Sequence, residues 1–477
     1  MVPNKIVFIG AASAAFGPRV IGEACRKAEI AGSSLVLVDI NGEALEVMTR
    51  WAKRVNAGYG SPLKIESTTD RLEALPDANF VIVSIAIERN ELWKKDWEIP
   101  LKHGIKQVLG ENGGPGGLSH SLRNIPIVLD IARDMERLCP DAWIVNFSNP
   151  ESRLCLALSK YTKIKNVGVC LGAYITQYNL ARKVLGLQQK DVDIKVAGIN
   201  HCHWVMDIRD AKTGEDLYPA VREKIDQVDP DWEPLSRECL KRFGYYPGPA
   251  DSHVGEYLSW GYQFFKEGFT DWIMKADEGA AQRTAEMEAL SWGDGPLQDA
   301  ELKSLMIEGG MRWQTIDIIL SLLDGGNRYV LSLNVPNEGQ ITNLTRGGII
   351  EIPAIIGADK IYGLHMGELP PAIATLMETQ LYVMDLVIDA AVTGGIDRRA
   401  GRGGEVDTPV DLGVAEDRVL ALAEARRQAG AVDRRAHQGL AGALALFVEI
   451  VDVAVRRLEA IDGVRRPRQD ELGIEDH

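Results

Sequence analysis

The opening segment KIVFIGAASAAFGPRVIGEACRKAE, followed by SLVLVDI, constrains the fold more than any other stretch of the chain. A short apolar run ends at Gly10 and gives way to a turn of small residues. A segment of helical periodicity then leads to a second apolar run ending at Asp39. The pattern returns in NFVIVSIA (79–86), in the helical LRNIPIVLDIARDMERLC and in the strand AWIVNFSN. Continuous apolar strands separated by helices require a parallel sheet covered on both faces, because each βαβ crossover lays a helix against it.

The fold class expected is α/β: an N-terminal doubly wound Rossmann-type parallel sheet with a C-terminal mixed α/β (α+β) substrate domain. Near residue 195 the texture changes. DIKVAGIN reads as a strand, and mixed helices, aromatics and turns such as YYPGPADSH follow. VLSLNVPNEGQITNLTRGGIIEIPAIIG reads as sheet, and PAIATLMETQLYVMDLVIDAAV as a long helix. The expected domains are 1–195, dinucleotide-binding, and 196–477, for substrate, catalysis and oligomerisation. Residues 394–437, with DRRAGRGGE and EARRQAGAVDRRAH, read as a solvated segment.

Composition narrows the function. A formal net charge of −15 excludes a sequence-independent nucleic-acid binder, which needs a basic surface. The N-terminus runs straight into a strand pattern with no signal-peptide character. The apolar run LAGALALFVEIVDVAV is interrupted by Glu449 and Asp452, which suits a buried or amphipathic helix rather than a membrane span. Cysteines 25, 139, 155, 170, 202 and 239 follow no framework spacing and read as reduced thiols. The expected location is cytoplasmic, with no membrane or nucleic-acid partner, a small-molecule substrate, and a homodimer or homotetramer as the assembly.

The Gly10 turn follows a strand and precedes a helix, the setting in which backbone amides can take a pyrophosphate. Ala12 stands where a GxGxxG motif has its middle glycine, so the turn alone is a weak signal. Asp39, 29 residues after Gly10, strengthens it, since a carboxylate there accepts ribose hydroxyls and repels a 2′-phosphate. The competing interpretation is a plain βαβ turn and a surface aspartate. The expected cofactor is NAD, held by Gly10, Ala11, Ala12, Ser13, Asp39, Ile40, Ser84 and Asn146.

GINHCHW (198–204) places His201, Cys202 and His203 together after Asn200. Alone, such histidines are more often satisfied structural residues than ligands. Cys170 in NVGVCLGAY and Asn149 in IVNFSNPESR end further strands, and strand C-terminal ends in a doubly wound sheet meet at one crevice. A thiolate and an imidazole with open positions would suit a divalent metal.

The ordered run GENGGPGGLSHSLRNIPIVLDIARDMERLCPDAWIVNFSNP, GVC, GINH and SHVGEYLSW resembles glycoside hydrolase family 4 over roughly residues 5–390. The family's NAD- and manganese-dependent enzymes depart from two-carboxylate hydrolysis. The resemblance implies oxidation of the sugar at C3, C2 deprotonation, elimination of the aglycone, water addition and re-reduction. It implies NAD and Mn²⁺ as cofactors, Cys170 and His201 as metal ligands, and Asn149 and Asn200 at the sugar's oxidised edge. Tyr257 is then the C2 base. Leu171 departs from the polar residue usual after the metal cysteine, so Asp251, His253 and His203 are the candidates for protonating the leaving group. GENGGPGG departs from the better-known branch as well. Arg89, Glu111, Asn149, Asn200 and His203 are the expected substrate contacts.

Arg89, Lys94 and Lys95 beside Trp93 and Trp97 in IERNELWKKDWEIPLKHG suit an anionic α-hexoside as the expected substrate, a sulfoquinovoside first and a glucuronide second. Surface charges on a helix fit that segment equally well. An α-galactosidase or α-glucosidase of the same mechanism stands as the alternative. A hydroxy-acid dehydrogenase using NAD and a non-catalytic NAD sensor are the rivals from other classes.

Overall fold

A computed structural model describes residues 3–13, 16–60, 63–265, 282, 284–297 and 315–393. The expected solvated segment 394–437 and the apolar run 440–455 lie outside the described residues. In chain order the elements are β1 (Lys5–Ile9), α1 (Gly17–Arg26), β2 (Ser34–Val38), α2 (Gly42–Gly58), β3 (Lys64–Thr68), α3 (Arg71–Ala74) and β4 (Phe80–Val83). Then follow α4 (Arg89–Lys102), α5 (Gly114–Leu138), β5 (Trp143–Asn146), α6 (Glu151–Tyr161), β6 (Lys165–Gly168) and α7 (Gly172–Asn179). The remainder is β7 (Val192–Ile199), β8 (Cys202–Asp210), α8 (Tyr218–Lys224), α9 (Pro234–Phe243), β9 (Tyr246–Gly248) and α10 (Asp251–Val254). The last elements are α11 (Thr315–Asp324), β10 (Arg328–Pro336), β11 (Ile349–Gly357), β12 (Lys360–Gly363) and α12 (Pro371–Thr393).

These strands form one 12-stranded sheet in the order β3-β2-β1-β4-β5-β6-β10-β11-β7-β8-β9, with β12 on β11. The first six are parallel, in the doubly wound arrangement expected. Their centre is apolar on both faces: Ile6, Val7, Phe8, Val81, Ile82 and Val83 are fully buried. Each such side chain contributes about 1.5–3 kcal/mol of burial. Beyond β6 every pairing is antiparallel. The sheet therefore runs unbroken past residue 195, and β10 and β11, late in the chain, insert between β6 and β7.

Local chemistry sets the helix starts. The Asn41 side chain accepts from the Ala44 amide at 3.1 Å and caps α2. α5 begins at Gly114, eight residues before the expected Leu122, because Pro115 suits a first turn and Gly117 allows close approach. A Cβ on Gly117 would lie 2.5 Å from the Asn112 backbone carbon. α5 packs against α4, α6 and α12. Among the described residues no helix is long and apolar enough to cross a membrane.

Candidate active site

Two groups of residues lie at the C-terminal edge of the parallel strands. The first is the turn after β1. Gly10 has φ +82°, and a Cβ there would meet the Ser84 carbonyl oxygen at 2.1 Å, so only glycine fits. The Asp39 carboxylate, at the end of β2, accepts from the Ala12 amide at 3.0 Å and the Asn41 amide at 3.0 Å. Ile40 beside it is 70% exposed, an apolar face offered outward at the edge of the turn.

The second group centres on His201, a buried residue with φ +65° in the β7–β8 turn. The Asn112 side-chain nitrogen lies 2.8 Å from its Nδ1, which fixes the ring. The ring meets His253 edge-on, with centroids 4.4 Å apart. Ligand atoms of Glu111, His201 and His253 all fall within 4.8 Å of one another. Burial, then the His253 ring, lowers His201 to about 3, leaving a neutral imidazole. Burial opposes the Glu111 charge, but Arg89 and the imidazoles of His201, His120 and His253 outweigh it and hold the carboxyl at about 2. Asn200 is fully buried next to His201, and its side chain faces the Cys170 thiol.

A continuous set of contacts joins the two groups. The Ser84 carbonyl abuts Gly10, and the next amide, Ile85, donates to Ser148 Oγ at 2.8 Å. Two residues past Asn149 begins α6, where the Glu151 amide donates to Asn112 Oδ1 at 3.3 Å. Asn112 in turn holds His201. The Asn149 carbonyl accepts from the Asn124 side chain at 2.7 Å, and Asn149 itself is half-buried at this edge.

Several expected residues are placed differently. Both oxygens of Asp251 accept amides at the start of α9, Leu235 and Ser236, each at 2.7 Å, so it caps that helix. His203 is fully buried, with Nδ1 facing Glu351 and Nε2 facing Thr176, so both ring nitrogens are engaged within the protein. The Asn146 amide closes the turn after β5 through Ser148 and is buried. Glu111 and His253, expected as substrate contact and proton donor, instead face His201. Cys170 is partly exposed after β6 and is not in that trio; its thiol accepts from the Gly172 amide at 3.3 Å. Burial, then the Glu351 carboxylate, pushes the thiol well above its usual range, so its ionisation calls for a nearby cation. Leu171 is half-buried beside it.

Arg89 at the start of α4 is ion-paired to Glu111 at 2.8 Å and lies 4.8 Å over the Trp93 ring. Trp93 and Trp97 donate to the carbonyls of Leu109 and Val108, each at 2.9 Å, and tie α4 to the loop that carries Glu111. Lys94 pairs with Glu98 on an exposed face.

Sequence reasoning passed over four neighbours. The Glu256 carboxylate accepts the Glu111 amide at 2.5 Å and the Asn112 amide at 3.2 Å, and so shapes the GEN loop. Buried Arg153 donates to Ser121 at 2.8 Å and places its charge near Tyr257 and Glu256. Tyr257 is buried; burial, then Glu256, raises its phenol, while Arg153 opposes them. Glu351, fully buried, accepts from Ser332 at 2.6 Å. Asn112, Glu256 and Arg153 sit inside the quoted motifs, and Glu351 is a carboxylate in an otherwise apolar strand.

A parallel nucleotide-type sheet whose C-terminal edge carries a glycine turn and a buried imidazole–carboxylate group defines an α/β enzyme with its reaction centre at that edge. The chain belongs to the Family 4 glycosyl hydrolases, which match residues 5–186, with the C-terminal domain of the same family matching residues 196–399. It is therefore a glycoside hydrolase. It is 32% identical to an alpha-glucosidase of Erwinia rhapontici, over 83% of this chain and 91% of that one. It is 31% identical to an alpha-galactosidase of Bacillus subtilis (strain 168), over 82% and 90%. A solved 6-phospho-alpha-glucosidase from gut microorganisms, in complex with NAD and Mn²⁺, superposes with a TM-score of 0.71 at 20% identity, covering 95% of this chain and 98% of that one.

Proposed function

We propose that the chain is an exo-acting α-glycosidase that uses NAD and a divalent metal, Mn²⁺ first, in a redox-elimination reaction. The observation that carries this reading is the tie between the Gly10–Asp39 turn and the His201 group through Ser84, Ser148 and Asn112. A hydrolase working by two carboxylates alone has no use for a glycine-lined nucleotide turn at its reaction centre. The donor set fits a borderline divalent cation: two imidazoles and one carboxylate, with the Cys170 thiol against the buried Asn200 beside them. His201 and Cys170 would hold it, with Glu111 and His253 facing the same imidazole. Gly10, Ala11, Ala12, Ser13, Asp39 and Ile40 would hold NAD, with the Ser84 backbone against the turn. When bound, NAD supplies a reversible hydride acceptor and the cation supplies Lewis acidity.

The chain's own residues supply position and proton transfer. Asn149 and Asn200 orient the sugar oxygens at the edge between the two groups. Tyr257 takes the C2 proton, and the Arg153 guanidinium favours its ionised form against burial. Glu256 fixes the loop carrying Glu111 and Asn112.

For the sugar, the Arg89–Glu111 pair supports a neutral α-hexoside, glucoside or galactoside, over the anionic hexoside expected from the sequence. A guanidinium neutralised by a carboxylate and stacked on Trp93 offers no free cation to a C6 anion. The test is side-by-side turnover of aryl α-glucoside, α-galactoside, α-glucuronide and α-sulfoquinovoside, each with and without NAD and Mn²⁺. Aglycone release that needs both additions, without net NADH, is the expected result. Stoichiometric NADH accumulation would point to a dehydrogenase instead. A clear preference for either anionic sugar would return Arg89 to a substrate role.

A further inference from the structure

One row of paired residues crosses six strands: Gly168 on β6, Asn334 on β10, Glu351 on β11, Gly198 on β7, His203 on β8 and Gly248 on β9. Residues paired in this way project to the same face of the sheet. The glycines leave the space the polar side chains fill. A Cβ on Gly248 would meet Thr176 Oγ1 at 2.0 Å and His203 Nε2 at 2.6 Å, and one on Gly168 would meet Glu151 Oε1 at 1.2 Å.

Within that space runs an unbroken hydrogen-bonded chain. Ser332 Oγ donates to Glu351 Oε1 at 2.6 Å, and Glu351 Oε2 lies 3.2 Å from His203 Nδ1. His203 Nε2 lies 2.9 Å from Thr176 Oγ1, which donates to the Gly172 carbonyl at 3.1 Å. The Gly172 amide donates to Cys170 Sγ at 3.3 Å. Ser332, Glu351, His203 and Thr176 are all buried to 1% exposure or less, so each link sits in a medium where losing a partner is costly. His203 also packs under the same loop, with Cε1 3.3 Å from where a Gly172 Cβ would stand.

We infer that Glu351, acting through His203 and Thr176, is a positioning residue that holds Gly172 by its carbonyl and thereby sets the aim of the Cys170 thiol, which accepts from the amide of the same residue. Its significance for the reaction rests on Cys170 being a metal ligand, as proposed above. Outer groups that orient a ligand typically change metal affinity by roughly 10–100-fold when removed. The antiparallel half of the sheet thus fixes a ligand carried by the parallel half.

The test compares Thr176→Val, Thr176→Ser, Glu351→Gln, Ser332→Ala and Cys170→Ser in the full-length protein. Co²⁺ serves as the metal probe, read by its thiolate charge-transfer band. Metal-free protein is treated with iodoacetamide and alkylation followed at Cys170, since the other five cysteines are buried. The expected result is a Co²⁺ affinity about 10-fold or more weaker and an altered band in Thr176→Val and Glu351→Gln. Thr176→Ser restores both, and Cys170 alkylates several times faster in Thr176→Val. Wild-type affinity and band in Thr176→Val, with alkylation unchanged, would overturn the inference. If Glu351→Gln does not fold, Thr176→Val and Ser332→Ala carry the comparison. Absence of the band in wild type, or its persistence in Cys170→Ser, would remove Cys170 as a ligand. The alkylation rates then decide the relay by themselves: faster in Thr176→Val upholds it, unchanged ends it.

Discussion

The two ends of the sheet reach their order by different means. In the parallel end, β1, its turn and β2 lie within the first 39 residues, and the contacts of Gly10 with the Val38 carbonyl and Ala12 with Asp39 stay within that one strand–helix–strand unit. In the antiparallel end, one row draws residues from 168, 198, 203, 248, 334 and 351 into register. The first end is apolar through its centre and tolerates a polar rim. The second places a carboxylate, an imidazole and an amide inside the sheet. Local chemistry suffices to build a turn that grips a nucleotide. The row beside Cys170 is built of buried polar groups, and their partners come from far along the chain.

The comparison breaks first at His201, where the two ends meet. His201→Ala should lower aryl α-glycoside turnover on the order of 10³-fold, the several kcal/mol that Lewis-acid assistance provides. The melting temperature should stay close to wild type. Activity within tenfold of wild type, at about 1.4 kcal/mol or less, would mean the centre lies elsewhere.

The seam between the ends comes next. Gly168→Ala places a methyl where Glu151 Oε1 stands and should cost roughly 1–3 kcal/mol in urea unfolding through overpacking. An unchanged midpoint would show that α6 can move away from β6 without loss, so the seam would be looser than the row implies.

Asp251 sharpens the contrast between capping and catalysis. Asp251→Ala should destabilise by about 1–2 kcal/mol, as loss of an N-terminal helix cap does, with kcat little changed. A rate loss on the order of 10²-fold at wild-type stability would restore it as a proton donor.

The smallest effect expected lies in the parallel end, on α1. Burial, then Asp317, raises Glu23 to about 8, while the amides of Ile316 and Asp317 and the Lys27 charge oppose the rise. Because the folded value lies above the ordinary 4.5, the folded chain keeps a proton that the unfolded chain has released. Its contribution is present at low pH and is lost as pH rises through about 8. Melting temperatures should therefore fall less between about pH 5 and pH 8 in Glu23→Gln than in wild type. Parallel curves for the two proteins would remove this group from the pH response.

Much of the fold was legible because its signals are local. The apolar runs at 5–9, 34–38 and 143–146 became parallel strands, and the periodic segments between them became helices. NFVIVSIA shortened to Phe80–Val83, since Ser84 turns its carbonyl to Gly10. The candidate site was legible only in outline. Asn112 and Glu256 stood in the motifs without a role, because a residue that shapes a loop by accepting amides leaves no periodicity or spacing to read. Asp251 and His203 looked reactive by type, and only the folded chain showed the structural partners each holds.

By itself the sequence determined the doubly wound half, the glycine turn with its acidic strand end, and membership of the family through the order of its motifs. Tertiary structure decided that β10 and β11 insert between β6 and β7. It decided, too, that Glu111 and His253 face His201, and that Glu351 meets His203 and His203 meets Thr176 inside the sheet. The physical reason is range. Apolar periodicity and turn chemistry act over a few residues and are written in neighbours. A buried charge is tolerable only beside its partner, and that pairing exists only once strands distant in the chain lie in register.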